Sequence, residues 1–502
     1  MNAVLSAMLS VQFVYMVSLV ALDARSILFI MGYAVGYVVL FSFLKKTAVH
    51  ALYAFIFISL FFPKSGNNFR LFVIETLPNV TLFTIVQCVA ALAISLNNSR
   101  VKQFRRFIPP RARMFDMTVF MLVVLMLVMS LIRYVGGDYL TGLDPLPEEF
   151  AWEAQLLAAF VFFRGCMVCI KSIKQIEAVL AIFLLAGLIL SIESILYFYL
   201  GLPLPLRDSY VFHESGRYHS MFFFDFVSLV FVVMVAIGAA FYFASATRWR
   251  VALVLMFVFI LPVVATLQRG PALACIIIMG MCFLLKLRIP LQYTLSLIAA
   301  VVVSSLLFLP EGNATYGVLD ILTNIRPDYL DSYSRSFESR LGSQLRGLEV
   351  LLHAMPCGSG SLRMSYLMVS QNTPQWFSNW VHPGSAASFY EKISSGAHTT
   401  GSHNFFINLV GEYGLLGLIS IGLAIKMSAQ GFRFGVKKGF GGTQQSSAFV
   451  AVNAIMAGFI FMGLFYHSIT LWIIFLLVFL GVFVVEKAPG SGSSVAGSRI
   501  SR

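Results

Sequence analysis

Charged side chains are scarce in this chain, and their scarcity excludes the soluble proteins. Asp, Glu, Lys and Arg make up only 11% of the 502 residues, whereas hydrophobic residues make up 59%. A soluble domain of this length needs far more charge to cover its surface. The mean hydropathy of +0.86 and the recurrent long apolar runs therefore predict an all-α polytopic membrane protein, because about 18 consecutive apolar residues cross a bilayer as a helix.

The motifs of metal and cofactor chemistry are also missing. The sequence contains no H-E-x-x-H, no D-x-D, no paired Cys/His spacing, no P-loop and no glycine-rich dinucleotide motif. Cys166 and Cys169 form a C-x-x-C, but it lies in an apolar run without a partner pair. We therefore expect no metal and no cofactor. The net charge of +13 does not predict nucleic-acid binding, since membrane proteins concentrate Lys and Arg in their cytoplasmic segments.

The apolar runs predict about fourteen transmembrane helices, with twelve or thirteen as alternatives. A basic cluster between Asn97 and Asp116 places that loop in the cytoplasm, and alternation from it places both termini there too. The predicted spans are 4–22, 26–44, 47–63, 71–95, 115–132, 155–170, 178–200, 221–245, 251–267, 271–286, 291–309, 404–425, 446–466 and 470–485.

These spans divide the chain into four parts. Residues 1–309 contain helices one to eleven, residues 310–403 form a large loop domain on the outer side, and residues 404–486 contain the last three helices. Residues 487–502, rich in Gly and Ser, form a flexible cytoplasmic tail.

The outer loop contains a predicted amphipathic helix from Ser334 to Met355. Apolar residues recur there at spacings of three and four, and the polar face carries Arg335, Arg340 and Arg346. The helix should end at the turn that begins with Pro356. We expect it to lie at the membrane–water boundary with its arginines facing lipid headgroups or an anionic ligand.

Two further arginines lie close to predicted spans. Arg217 is in an outer loop that leads into an apolar run, where it could bind phosphate or pair with Glu214 or Asp208. Arg269 lies between two apolar runs with almost no loop. A charge so close to hydrocarbon costs a few kcal/mol unless it has a partner, which favours a functional role over a snorkelling side chain in a tight turn.

His403 and Asn404 stand where the polar loop re-enters an apolar helix. Neutral imidazole is well suited to accept a proton near neutral pH, so His403 is the candidate general base, with His398 as its nearest competitor. The alternative is a helix start capped by Ser402, with an incidental histidine. Glu412, well inside the same span, should have a buried arginine or hydroxyl partner.

In their order along the chain these features resemble the O-antigen ligase/polymerase superfamily of bacterial envelope glycosyltransferases. Its members have about twelve helices and a late periplasmic loop, followed by His-Asn, apolar residues, Glu-x-Gly and a further Gly, as in the run from His403 to Gly417. Thr266-Leu267-Gln268-Arg269 is similar to the family's arginine motif, with Gln in place of Ser. The match extends over the loop arginines, the Pro356 turn and Arg217.

The resemblance implies a substrate class and a location. The donor would be a glycan on undecaprenyl diphosphate, transferred at the periplasmic face of the inner membrane. Arg217 and Arg269, with Arg340 or Arg346 as a third cation, would bind the diphosphate without a metal. His403 would accept the proton of the acceptor hydroxyl, and Asn404, Glu412 and His398 would support it.

The acceptor stays open at this point. A polymerase of O-antigen or exopolysaccharide uses a second lipid-linked repeat, together with a possible chain-length regulator. A ligase uses lipid A-core, and an oligosaccharyltransferase uses protein. We favour a polymerase because of the high helix number. A polysaccharide transporter or flippase is the alternative from another class; it would need charges within the spans, and the sequence shows no pairing for Arg164, Glu193, Asp225 or Glu412.

Overall fold

The structure is a computed structural model, and it describes the parts of the chain that form most of its apolar helices. The described residues are 47–61, 82–97, 110–136, 146–200, 220, 226–243, 249–266, 269–282, 343–360, 364, 368, 402, 404–437, 444–464 and 471–486.

Regular structure in the described residues is helical throughout, and no strand occurs among them. A π-helix, Ile195–Tyr199, directly continues the fifth helix. The α-helices are α1 Ala48–Phe61, α2 Leu82–Asn97, α3 Pro110–Gly136, α4 Leu146–Cys169, α5 Ile173–Ser194, α6 Phe226–Phe243, α7 Trp249–Ala265, α8 Arg269–Cys282, α9 343–354, α10 Phe405–Lys437, α11 Gln444–Gly463 and α12 Leu471–Glu486.

The outward faces of these helices are apolar, as a bilayer requires. Along α3, Met117, Met121, Val124, Val128 and Leu131 are exposed at spacings of three and four, which is one helix face. Three stretches within the described residues are long and apolar enough to cross a membrane, and several shorter apolar helices accompany them. The long stretches are Ala112–Ile132, Ile173–Ser194 and Phe405–Met427.

Small residues bring neighbouring helices close together. A Cβ atom added to Gly187 of α5 would lie 2.7 Å from the Cβ of Ala236 on α6. One added to Gly238 would lie 2.4 Å from Ile455 Cδ1 on α11. Packing through small residues is typical of membrane helices, because lipid tails supply no hydrophobic drive for association. The core is therefore one continuous apolar cluster.

The predicted spans that fall within the described residues overlap these helices, although some bounds differ. The span predicted from 115 to 132 lies inside the longer α3, and the span predicted from 404 to 425 begins one residue later and extends to Lys437. The spans predicted at 4–22, 26–44 and 291–309 lie outside the described residues. The total of fourteen spans and the periplasmic position of the loop remain predictions.

One charge that the sequence left without a partner is paired in the fold. Arg164 of α4 donates from Nε and Nη2 to the two carboxylate oxygens of Asp116 on α3, at 2.8 and 2.9 Å. Its guanidinium also lies 4.4 Å from the ring centre of Phe160. The expectation that nothing pairs the intramembrane charges is wrong for Arg164, because its partner lies 48 residues away and no local pattern reveals it.

Candidate functional site

The beginning of α10 is fixed by a side-chain cap, and the capping residue is Asn404. Its Oδ1 accepts hydrogen bonds from the backbone N–H groups of Phe406 at 3.0 Å and Ile407 at 3.2 Å. These are two of the amide groups that a helix N-terminus leaves without intrahelical partners. The alternative in which Ser402 caps the helix is therefore wrong, and Asn404 has a structural role at this position.

Ser402 is instead part of a small buried network that spans the helix start. Its hydroxyl donates to Asn408 Oδ1 at 2.7 Å, and its backbone N–H donates to the same oxygen at 3.2 Å. Ser402, Asn404 and Asn408 are all buried. His403 itself lies outside the described residues, but both of its sequence neighbours are held by these contacts.

A kink in α10 lies six residues beyond Asn408. Gly414 has φ 59° and ψ −142°, and this breaks the regular helix. Such a conformation is strained for residues with a Cβ atom, so glycine is needed here. The break frees backbone groups of α10, and the turn that follows α9 occupies them.

The turn Pro356–Gly360 binds to this break through backbone hydrogen bonds. Ser359 N donates to Gly411 O at 2.8 Å, Gly360 N donates to Glu412 O at 2.9 Å, and Leu415 N donates to Pro356 O at 2.9 Å. A Cβ atom on Gly414 would lie only 2.1 Å from Pro356 O. The turn and the helix therefore meet through their backbones, a contact that the sequence did not predict.

Gly347 brings α9 close to the beginning of α10. A Cβ atom on Gly347 would lie 2.6 Å from Ser402 Cβ and 3.0 Å from Ile407 Cγ2. About one turn earlier in α9, Gln344 Nε2 donates to the backbone oxygen of Leu464 at the end of α11, at 3.1 Å. α9 thus contacts two helix ends, and Arg346 directly precedes Gly347 in the chain.

Arg346 points into the protein rather than towards lipid headgroups. It is 6% exposed, its Nε donates to Met368 O at 3.2 Å, and its Nη1 lies 2.9 Å from Glu349 Oε2. We had expected the arginines of this helix to face lipid headgroups or an anionic ligand; the burial of Arg346 excludes the headgroups for this residue, and the anionic ligand stays a prediction. Leucines take the outward positions instead, with Leu345, Leu348 and Leu352 exposed, because a helix beside a membrane turns its apolar face to the lipid.

Glu412 is buried beside the kink. It is 8% exposed, and its backbone carbonyl takes part in the docking of the Pro356 turn. Its predicted arginine or hydroxyl partner stays a prediction.

The remaining candidate residues lie outside the described part of the chain, but the structure fixes some of their neighbours. Arg217, Arg340 and His398 are not described, and Arg269 is described only as the first residue of α8. Ser220, three residues after Arg217, is buried and donates to Glu193 Oε2 of α5 at 2.7 Å.

Contacts at the helix ends relate these neighbours to one another. The hydroxyl of Tyr199, in the π-helix after α5, donates to Leu261 O near the end of α7, at 3.2 Å. Phe231, near the start of α6, stacks on Phe459, near the end of α11, with ring centres 4.2 Å apart. Since Leu464 at that end of α11 contacts α9, the described neighbours of the arginines and of His403 share one end of the helix assembly.

An apolar groove begins at the same helix start. Its lining is almost entirely hydrophobic, and its cavity volume is about 100 Å³. That volume is smaller than the range of about 300–1,000 Å³ for ligand clefts, so the groove is narrow in this structure. Helices α3, α10, α11 and α12 form most of the walls, and α10 contributes residues on both sides of the kink, among them Phe405, Phe406, Leu409, Tyr413, Ile421 and Ala424.

Within the described residues, no group of three or more His, Cys, Asp or Glu side chains could hold a metal ion. The expectation of metal-free chemistry remains a prediction.

Comparison with known proteins identifies the region that contains this site. Residues 251–422 match the family model described as O-Antigen ligase. No curated protein is significantly similar to the chain. The match confirms the resemblance seen in the sequence: this region belongs to the O-antigen ligase/polymerase superfamily, whose members are membrane glycosyltransferases. It includes Arg269, Arg346 and His403, whereas Arg217 precedes it.

Proposed function

We propose that the chain transfers a glycan from undecaprenyl diphosphate to an acceptor sugar hydroxyl at the periplasmic face of the bacterial inner membrane, as a polymerase of O-antigen or exopolysaccharide. The observation that carries the proposal is the docking of α9 and the Pro356 turn onto the start of α10. Arg346 is buried next to the contact with Ser402, and His403 is the next residue after Ser402.

In this reaction His403 accepts the proton of the acceptor hydroxyl as its oxygen attacks the anomeric carbon. The bond between that carbon and the diphosphate oxygen breaks, and its electron pair remains on the lipid diphosphate. Attack opposite the leaving group inverts the configuration of the carbon. Arg217, Arg269 and Arg346 neutralise the growing charge of the diphosphate, because guanidinium groups stay charged and bind phosphate oxygens in pairs.

The apolar groove is suited to the lipid part of this donor. It begins at Phe405, two residues after His403, and continues along α10 past the kink. A polyprenyl chain has no polar groups to satisfy, so a hydrophobic lining is sufficient to hold it. A donor placed in this way would have its diphosphate at the helix start and its tail between the helices.

The proposal is tested by transfer with purified protein, a lipid-diphosphate glycan and an excess of chelator. We expect wild type to extend the acceptor and to release the lipid diphosphate, and His403→Ala to transfer about 10²–10⁴-fold more slowly, as expected when a general base is removed. His353→Ala, an exposed histidine on α9, is the matched control and should transfer normally. Transfer that needs a divalent metal, or that survives His403→Ala, contradicts the mechanism. Movement of the glycan across a vesicle membrane without any transfer supports the transporter alternative.

A ligase is the second candidate, and the matching family model is described by that name. The two functions share donor and mechanism and differ only in the acceptor. Parallel reactions with a second lipid-linked repeat and with lipid A-core decide between them: the polymerase extends the first, and the ligase glycosylates the second. Transfer to a protein acceptor alone would indicate an oligosaccharyltransferase.

A further inference from the structure

The end of α5 contains a buried carboxylate to which the proposed reaction gives no role. Glu193 is 3% exposed and Ser220, whose hydroxyl donates to its Oε2, is 3% exposed as well. Burying a carboxylate is costly, so such groups persist in membrane proteins mainly where they perform a function. The hydrogen bond connects the end of α5 to Ser220, which lies 27 residues later in the chain.

The segment held by Glu193 is the one that contains Arg217. Ser220 follows Arg217 by three residues, and three residues of chain span at most about 11 Å even when fully extended. The contact between Glu193 and Ser220 therefore limits how far Arg217 can lie from the end of α5.

The same end of α5 also contacts the helix that leads to the second arginine. The chain continues from Ser194 directly into the π-helix Ile195–Tyr199, a form that often occurs at functional sites. Tyr199 donates from its hydroxyl to Leu261 O on α7, and Arg269 begins the next helix. The end of α5 and the π-helix after it thus contact Ser220, three residues after Arg217, and Leu261, eight residues before Arg269.

We propose that Glu193 is a positioning residue which, together with Tyr199, sets the separation of Arg217 and Arg269 so that both reach the diphosphate of the donor. The inference rests on the proposed function. Two guanidinium groups bind one diphosphate well only when their spacing matches it, because bidentate hydrogen bonds tolerate little misplacement. Loss of the Glu193 hydrogen bond should therefore weaken donor binding and leave acceptor binding unchanged.

A second buried pair in the same molecule provides a matched control. Glu153 of α4 accepts a hydrogen bond from Ser130 of α3, and these residues are 2% and 1% exposed. The chemistry and burial match those of Glu193 and Ser220, but neither Ser130 nor Glu153 lines the apolar groove, and neither lies in a segment that contains a candidate arginine or histidine. A purely structural role for buried carboxylates predicts equal effects at the two sites.

The experiment compares Glu193→Ala, Glu193→Gln and Ser220→Ala with Glu153→Ala and Glu153→Gln. For each purified protein we would measure kcat, the KM for donor and for acceptor, and the thermal unfolding midpoint. We expect Glu193→Ala and Ser220→Ala to raise the donor KM roughly tenfold, the effect of about one misplaced hydrogen-bonding group, with the acceptor KM unchanged. Glu193→Gln should recover most of the loss, because its amide oxygen can accept from Ser220. The Glu153 variants should lower the midpoint without changing either KM.

Direct binding of polyprenyl diphosphate without glycan separates this inference from the proposed function. Wild type should bind it more tightly than Glu193→Ala even under conditions where no transfer occurs. If Glu193→Ala changes donor KM and binding no more than Glu153→Ala does at the same loss of thermal stability, the positioning role is overturned. If Glu193→Ala fails to fold, Ser220→Ala supplies the same comparison, because it removes the hydrogen bond and leaves the carboxylate in place.

Discussion

Arg164 and Arg346 are both held by carboxylates, but the two ion pairs are arranged in opposite ways. The Arg164 side chain is 31% exposed, whereas its partner Asp116 is 5% exposed and binds it through two oxygens. Arg346 is itself 7% exposed, and its partner Glu349 is 41% exposed. Water screens a charge at an exposed carboxylate, so solvent weakens the pair of Glu349 with Arg346 more than it weakens the pair of Asp116 with Arg164.

This difference separates a structural arginine from a candidate anion-binding one. In α3 and α4 the positive charge faces a buried, bidentate counter-charge, and two aromatic rings cover it. In α9 the arginine is buried beside the start of α10, and the Glu349 side chain paired with it is 41% exposed. The exposure of the paired carboxylate therefore distinguishes the two arginines.

Substitution of the two arginines tests the difference between Arg164 and Arg346 most directly. We expect Arg346→Ala to slow glycan transfer about 10²-fold, since it removes a fixed cation from the developing charge of the leaving group. Arg346→Lys should recover only part of this rate because an ammonium cannot bind in a bidentate manner. Initial transfer rates per folded molecule are the measurement.

Arg164→Lys is the matched control for that experiment. It should leave the transfer rate of the folded protein unchanged and lower the free energy of unfolding by roughly 1 kcal/mol, because the bidentate pair with Asp116 is lost at a partly exposed site. If Arg346→Lys and Arg164→Lys change the transfer rate equally, the exposure of the paired carboxylate does not distinguish the two arginines.

A second pair of substitutions compares the two kinds of glycine in α10. Gly414→Ala places a Cβ atom 2.1 Å from Pro356 O at φ 59°, so it should cost at least about 1–3 kcal/mol of stability and release the turn. Gly422 has nothing within 4 Å of an added Cβ atom. Gly422→Ala should therefore be neutral or stabilising by up to about 1 kcal/mol.

Thermal unfolding and transfer rate, measured on both glycine variants, decide this prediction. A Gly414→Ala protein that is as stable and as active as the Gly422→Ala protein would show that the docked turn is unnecessary.

The smallest expected effect concerns the cap of α10. Asn404→Ala removes the side-chain oxygen that accepts from Phe406 and Ile407, and it should cost about 1 kcal/mol of stability. Asn404→Asp retains the cap and should retain both stability and transfer. If Asn404→Asp keeps the thermal midpoint but loses transfer, the amide group of Asn404 acts in the chemistry itself.

Much of the helical architecture could be predicted from the sequence, because hydrophobic runs directly reflect the bilayer. The end of α9 at Pro356 was predictable for a similar reason, since the ring of proline removes a backbone donor. The run from His403 to Gly417 lies within the family match, and its role as the site stays a prediction.

Other features could not be predicted, since they depend on contacts between distant parts of the chain. The Asp116–Arg164 pair and the Glu193–Ser220 bond join separate helices. The outward leucines of α9 misled the assignment of Arg346, because apolar residues near a membrane face lipid as well as the core. The kink at Gly414 accompanies the binding of the Pro356 turn, a contact between distant parts of the chain. The sequence showed the run Gly411-Glu412-Tyr413-Gly414 but did not predict a kink there.

We infer that the protein is active in the conformation in which the Pro356 turn is bound to α10. Hydrogen exchange of the Ser359, Gly360 and Leu415 amides, measured beside transfer rate in wild type, Gly358→Ala and Gly414→Ala, tests it most directly. We predict slow exchange at all three amides in wild type, and a loss of protection in the variants that accompanies their loss of transfer. Fast exchange in active wild type, or full transfer by a variant whose amides exchange freely, would contradict the account.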